Sequence, residues 1–300
     1  MHLVFVEILR MFTRIFLILH TPNAKDMRSK NFHWAILITL MGLFSVILNS
    51  CSDDESEPEV TTVTDIDGNE YHVVTIGFYE WTVENLRVSR YNNGDPIPSG
   101  LSDDDWTNTT EGAYAIFDHN HPWADGIDSP EEMVEAYGKI YNWYAVDDPR
   151  GLCPEGWHVP SLYAWESSVS SASGQGYPND FMDPDNPNGV ANALRSCLQV
   201  GSPLGEECAT LLHPRWKSHE VHHGFDAFDF AALPAGFRSH GSGSFLSIGQ
   251  LARWLTSTQS DLHYPEVYVI TISSDVGNVR VGWRPKITGG SIRCVREVGP

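Results

Sequence analysis

The stretch Tyr137–Glu166, YGKIYNWYAVDDPRGLCPEGWHVPSLYAWE, constrains the fold more than any other part of this chain. Each Tyr or Trp ring removes about 150–250 Å² from water when buried, so a segment this rich in rings belongs inside a core. Trp143, Trp157 and Trp165 are therefore assigned to the interior. Pro154-Glu155-Gly156 marks a turn. Pro160 precedes Ser161, a good N-cap, and Leu162, Trp165 and Val169 then recur at helical spacing, which predicts a helix over 161–171. The pattern over Tyr137–Val146 fits helix or strand equally.

The remaining elements are short and mostly β-like. Thr61–Ile66 and Tyr71–Ile76 flank Asp67-Gly68-Asn69-Glu70, a strong hairpin signal. Glu80–Val88 and Gly112–Phe117 read as strands, and His119–Met133 as a loop with one helical turn near Pro130. Val190–Leu198 is a second short helix. Five β-like runs follow, at Phe228–Leu233, Trp254–Thr258, Glu266–Ile272, Val279–Trp283 and Ser291–Val295. With 18 Pro and 25 Gly in 300 residues, turns are frequent. The fold class is α+β, with few helices, antiparallel strands and long loops.

The chain carries 39 acidic and 19 basic side chains. Such a surface repels phosphate backbones and excludes nucleic acid as a partner. Five of the basic residues lie in the first 50 positions, where the sequence reads as an address. Residues 34–48, WAILITLMGLFSVIL, have the length of a secretory apolar region and fall short of the roughly 20 residues of a membrane span. Arg28 and Lys30 precede it, and Leu48-Asn49-Ser50-Cys51 follows, resembling a bacterial lipobox. The resemblance implies a lipoprotein signal peptide over 27–50, lipidation of Cys51, and a membrane partnership through that lipid. Residues 1–26 read as an extension upstream of Met27. Residues 51–60 form an acidic tether, similar to the export signal of surface lipoproteins of the Bacteroidetes. The expected location is the outer membrane, exposed at the cell surface, with a periplasm-facing orientation as second choice.

With Cys51 lipidated, four cysteines remain, and an exported chain pairs them. Cys197 and Cys208 flank a short loop and most simply close it, which leaves Cys153 with Cys294.

Six segments together resemble the Fibrobacter succinogenes major paralogous domain. They are TDIDGNEYHVVTIGFYEWTVENLRVSRYNNGDPIP, YGKIYNWYAV, LCPEGWHVPSLYAWE, ALRSCLQVGSPLGEECATLLHPRW, FAALPAGFR and SIRCVRE, in family order between Val60 and Glu297. The resemblance covers residues 61–300 as one domain. Two places depart: the family's WWSST stands here as Arg253-Trp254-Leu255-Thr256-Ser257-Thr258, and its GFSVRCV as Gly289-Gly290-Ser291-Ile292-Arg293-Cys294-Val295. More distantly, GWHVPSLYAWE is similar to the GYRLPTEAEWE segment of formylglycine-generating domains. That implies a C-type-lectin-like architecture: two helices, a twisted antiparallel sheet and neighbouring termini, disulfide-linked. No segment matches the catalytic cysteines of those enzymes, so their activity is not implied.

Three constellations could carry function. Trp106 and Trp123 stand in expected loops and are candidate platforms for stacking on a sugar. Asp183, Asp185, Asn186 and Asn188 gather oxygen ligands in a Pro/Asn/Asp loop, a candidate Ca²⁺ site without the full pattern of an EF-hand. His219-Glu220-Val221-His222-His223 fits HExxH literally, but Pro214 before it and Gly224 after it oppose a zinc-binding helix and favour a loop of exposed histidines. The resulting expectation is a surface-anchored, non-catalytic binding or adhesion lipoprotein that recognises a glycan or a surface protein. A metal-dependent hydrolase around His219–His223, or a structural subunit of a surface assembly, is the alternative.

Overall fold

Asp67-Gly68 makes the expected reversal. The computed structural model describes residues 61–298, so the extension, the signal peptide, Cys51 and the acidic tether lie outside the described residues. Strand β1 (Thr62–Thr64) pairs antiparallel with β2 (Glu70–Ile76), with Val63 opposite Tyr71. Asp65 pins the turn: its carboxylate accepts hydrogen bonds from the amides of Asp67 (2.9 Å) and Asn69 (3.0 Å) and from the Tyr71 hydroxyl (2.7 Å). Gly68 supplies the positive φ of 86° that the turn requires.

Strand β3 (Tyr79–Thr82) continues this sheet and ends well short of the expected Val88. Past Thr82 the chain turns its Asn85 side chain inward, where it is buried and donates to the Tyr137 carbonyl (2.9 Å). A ladder to a neighbouring strand gives way to contacts with several elements, since the Asn85 side chain also accepts from the Trp254 indole and the Leu86 amide donates to the Ile292 carbonyl. The next elements are α1 (Asp103–Asn108), β4 (Tyr114–Ala115), α2 (Pro130–Tyr137), β5 (Ile140–Tyr141) and α3 (Trp143–Val146). Helix α2 is longer than the single turn expected, because Ser129 caps it and Pro130 starts it. The ambiguous run over Tyr137–Val146 contains both types: the end of α2, then β5, then α3.

Helix α4 (Leu162–Gly174) starts where the sequence says, with the Ser161 hydroxyl accepting from the Ala164 amide at 3.2 Å. It buries Ala164, Trp165, Val169 and Ala172 against strands of both main sheets. Helix α5 (Val190–Leu194) is shorter than expected. Strands β6 (Phe237–Arg238) and β7 (Phe245–Leu246) form a small hairpin. The second main sheet has the order β10-β9-β8, from β8 (Leu251–Gln259), β9 (Glu266–Ser273) and β10 (Arg280–Pro285). Strand β11 (Val295–Glu297) joins the first sheet, giving the order β1-β2-β3-β11, so the last strand lies beside the first three. Of the expected run Ser291–Val295, only Val295 is in a strand. Phe228–Leu233 is not a strand either: Asp229 (φ 53°) and Ala231 (φ 47°) are left-handed.

The architecture is α+β, with five short helices among the described residues and several small antiparallel sheets. One core cluster sets Trp81, Trp165, Trp254 and Phe230 against each other, with ring centroids 4.4 Å apart for Trp81–Trp165 and 5.2 Å for Trp165–Trp254. A second collects Tyr71, Tyr141, Trp143, Trp157 and the disulfide Cys153–Cys294. The second disulfide is Cys197–Cys208, as expected.

The two bridges constrain the unfolded chain unequally, with sequence separations of 141 and 11. In the loop-entropy model they stabilise by about 5 and about 3 kcal/mol. Urea denaturation should show the Cys153→Ala, Cys294→Ala pair losing more stability than the Cys197→Ala, Cys208→Ala pair. The reverse order would mean that the short bridge carries the larger native constraint.

Candidate functional site

The two candidate tryptophans part company in the structure. Trp106 is not in a loop and is not a platform. It sits on α1, fully buried, because Ser102 caps the helix through the Asp105 amide (3.1 Å) and turns the ring inward. The Arg238 guanidinium covers that ring at 4.5 Å while donating to the carbonyls of Gly243 (2.6 Å) and Leu101 (2.9 Å). Trp123, by contrast, is 39% exposed. Its loop is rigid. Successive turns bond His121 to Asp118 and Ala124 to His121, and Ala124 and Ile127 anchor it in an apolar cluster with Met133 and Tyr137.

Trp123 opens onto a cleft of about 270 Å³ whose far wall is the segment 213–218. Three charged side chains meet there. Lys217 places its ammonium 4.6 Å from the Trp123 ring centroid, and Arg215 donates to Asp125 at 2.7 Å. His213 lies behind them with its Nδ1 2.6 Å from the Tyr137 hydroxyl. That hydroxyl also accepts from the Arg215 amide at 3.1 Å, which ties the Tyr137–His213 pair to the wall. Nε2 is 3.8 Å from Asp125 and has no hydrogen-bond partner among the described residues. Burial, then the Arg215 charge, push the His213 pKa down, which keeps the ring neutral at pH 7. Burial also raises the Tyr137 pKa. The cleft thus offers a flat ring, two cations and one carboxylate, with the His213 ring buried behind them.

The wall holds its shape through Trp216, which is buried and donates from its indole to the Ala232 carbonyl at 3.0 Å. Its backbone pairs with Leu198 and Val200, inside the loop that Cys197–Cys208 closes. Sequence reasoning missed Tyr137, Asp125, His213, Arg215 and Lys217. The HPRW run at the end of one family-like segment was the available signal.

The HExxH segment is neither a helix nor a loop of exposed histidines. His219 turns back on its own chain, with Nδ1 accepting from the amides of Val221 (3.2 Å) and His222 (3.0 Å). His222 is fully buried and accepts from Asn192 at 3.1 Å, and His223 is half-buried. The helical arrangement that would set two imidazoles side by side for zinc is therefore not formed. Among the described residues no group of three or more His, Cys, Asp or Glu side chains converges as metal ligands.

The Asp183–Gly189 loop is a series of turns. Asn186 accepts from the Asn188 amide at 2.9 Å, while Asp183 and Asp185 point outward, exposed. Gly189 lies against Gly277, where a Cβ would come within 2.1 Å of the Gly277 carbonyl oxygen. The loop is thereby fixed on the β9–β10 connection. Among the described residues no helix is long and apolar enough to cross a membrane.

The model of the Fibrobacter succinogenes major domain matches residues 74–296, and the chain belongs to that family. No curated protein and no solved structure matched.

Two measurements check this placement. Trp106→Ala should cost about 3–5 kcal/mol of stability, as a fully buried ring does. Trp123→Ala should leave the urea midpoint near that of the parent protein, and equal losses would contradict the assignment. The buried His222 has its pKa pushed down to about 4, first by burial and then by Arg195 and His219. An imidazole whose folded pKa lies below its unfolded value binds fewer protons when folded, so its contribution is intact above the unfolded pKa of about 6.5 and is lost as pH falls toward 4. The stability difference between the parent protein and His222→Gln should therefore shrink between pH 7 and pH 4.5. A constant difference would show that His222 does not titrate in that window.

Proposed function

We propose that this protein is a surface-anchored, non-catalytic binding or adhesion lipoprotein, held by lipid on Cys51 at the outer membrane, whose folded domain recognises a glycan at the Trp123 cleft. The observation that supports this reading is the Trp123 ring, presented to solvent on a loop held by turns beside Lys217, Arg215 and Asp125. A flat ring stacks on the apolar face of a sugar, while fixed polar groups around it select hydroxyls. A C-type-lectin-like arrangement is consistent with the last strand lying beside the first three and with loops locked by disulfides. The exposed carboxylates of Asp183 and Asp185, with Asn186 and Asn188, form the candidate Ca²⁺ loop of such a module.

A glycan array probed with the full chain in mild detergent, with and without EDTA, tests the reading. Binding should be lost in Trp123→Ala, which keeps its fold. Binding unchanged by that substitution would remove the Trp123 cleft as the site, and a blank array would favour a protein partner. A rise in Tm with millimolar Ca²⁺ that Asp185→Ala abolishes would support the calcium loop, and no rise would exclude it.

A further inference from the structure

A second cleft, on the outer sheet, is lined by arginines that form no ion pair with a carboxylate among the described residues. Arg253 on β8, Thr271 on β9 and Arg280 on β10 stand in register across the three strands, so their side chains share one face. Along β10 the same face carries Arg280, Gly282 and Arg284. Gly282 has no side chain to fill the space between the two arginines, and the Arg284 guanidinium lies over it, 3.7 Å from where a Cβ would stand. The three arginines, with Thr271 and Ser273, line a cleft of about 400 Å³.

Arg253 is the unusual member. Its residue is 5% exposed, its guanidinium stacks 3.8 Å above the Phe237 ring, and its Nε has no hydrogen-bond partner. Among the described residues none of the three arginines forms an ion pair with a carboxylate. Asp275, whose carboxylate senses Arg280, is instead hydrogen-bonded to Ser273. Burial, and then the charge on Arg284, push the Arg253 pKa down to about 10, so it stays charged at neutral pH. Cations on β10 have a structural use, because charge on an exposed edge strand discourages edge-to-edge pairing. That use does not extend to Arg253, which is buried on β8 at the far side of the sheet. A desolvated cation beside two others is costly unless an anion offsets it.

We propose that this cleft binds an oxyanion, a carboxylate or a sulfate group carried by a ligand, with Arg253 as its buried anchor and Arg280 and Arg284 closing over it above Gly282. Guanidinium groups present paired N–H donors that match two oxygens of either anion, and the Thr271 hydroxyl supplies one more donor in the same row. In a protein whose formal net charge is −20, three uncompensated arginines on one face would also draw an anion there against the general field. The cleft is lined by residues different from those of the Trp123 cleft, so the inference stands apart from the glycan reading of that cleft.

The test is thermal unfolding and calorimetric titration of the full chain with sodium sulfate and, separately, sodium glucuronate, each against sodium chloride at equal ionic strength. Either anion or both should raise Tm above the chloride control, and which one does so identifies sulfate or carboxylate as the group bound. Arg253→Met, which keeps an apolar stem over Phe237, should abolish that rise. Arg284→Gln is more exposed and serves if Arg253→Met fails to fold. It should weaken the affinity roughly tenfold or more, the loss expected for one charge-assisted contact. Arg90→Gln, which removes an exposed pairing with Asp67 outside both clefts, should change nothing. No rise over chloride with either anion would overturn the inference. A rise that survives Arg253→Met, an affinity unchanged in Arg284→Gln, or a rise that disappears in Arg90→Gln would overturn it as well.

Discussion

A guanidinium buried without a carboxylate must find its acceptors in the backbone, and Arg293 sets the shape of the domain by doing so. It is fully buried against the faces of Phe230 (4.0 Å) and Trp254 (5.6 Å). It donates to the successive carbonyls of Phe230 and Ala231, the second at 2.8 Å, and to Asn85 at 3.4 Å. Successive carbonyls of an extended strand point opposite ways, so one guanidinium cannot collect both from a strand. The left-handed turns at Asp229 and Ala231 bring them to one side. Asp226 locks the turn by accepting from the Ala231 amide at 2.7 Å, and burial raises its carboxyl pKa to about 6. Asn85 completes the node by accepting from the Trp254 indole at 2.9 Å.

The residues flanking Arg293 carry this constraint into both main sheets. Ser291 pairs with the β8 backbone at Arg253 and Leu255, and Gly290 with Tyr141. Ile292 accepts from the Leu86 amide, and Cys294 exchanges hydrogen bonds with Thr82 while its sulfur joins Cys153. One irregular segment therefore ties the first sheet, the second sheet and the Tyr137–Glu166 stretch together. It cannot itself be a regular strand, because its partners lie on different elements. Both clefts connect to this spine: β8 carries Arg253, and Asn85, which accepts from Arg293, donates to the Tyr137 carbonyl at the end of α2.

Local chemistry in the sequence was legible wherever the structure uses it locally. The Asp67-Gly68 reversal, the Ser161 cap and the burial of Trp143, Trp157 and Trp165 all follow from neighbours in the chain. Both cysteine pairings followed from spacing. The failures lie where a distant partner decides. Phe228–Leu233 has the composition of a strand, but the Arg293 charge, some sixty residues on, claims its carbonyls. Trp106 reads as a loop residue unless the Ser102…Asp105 cap in front of it is counted, and its covering partner, Arg238, is 132 positions away. Of the histidines in the HExxH run, His222 is held inward by Asn192, and His219 folds back onto its own backbone. The Trp123 cleft was half legible. The ring could be read from its loop, but its polar wall could not, since Asp125 and Arg215 meet only after folding.

Four arginines are buried among the described residues, and they meet the same desolvation cost in different ways. Arg195 lies over the Trp216 ring and donates to the Ser273 carbonyl at 3.1 Å, leaving its Nε and one terminal nitrogen without a hydrogen-bond partner among the described residues. Arg293 is satisfied by two carbonyls and an amide between aromatic faces. Arg238 donates to two carbonyls, adds an ion pair with Asp103 at 3.2 Å, and covers Trp106. Both are complete as they stand, and both cement packing. Arg253 has a ring beneath it and a cleft before it, but among the described residues its Nε has no hydrogen-bond partner and no carboxylate pairs with it. Its nearest charged neighbours add cations. Packing alone does not explain a positive charge at that position, because an apolar side chain of similar length would cover Phe237 without the desolvation cost. Arg195 keeps one carbonyl acceptor; the Arg253 Nε has no partner among the described residues, and the residue lines a cleft that a ligand could reach.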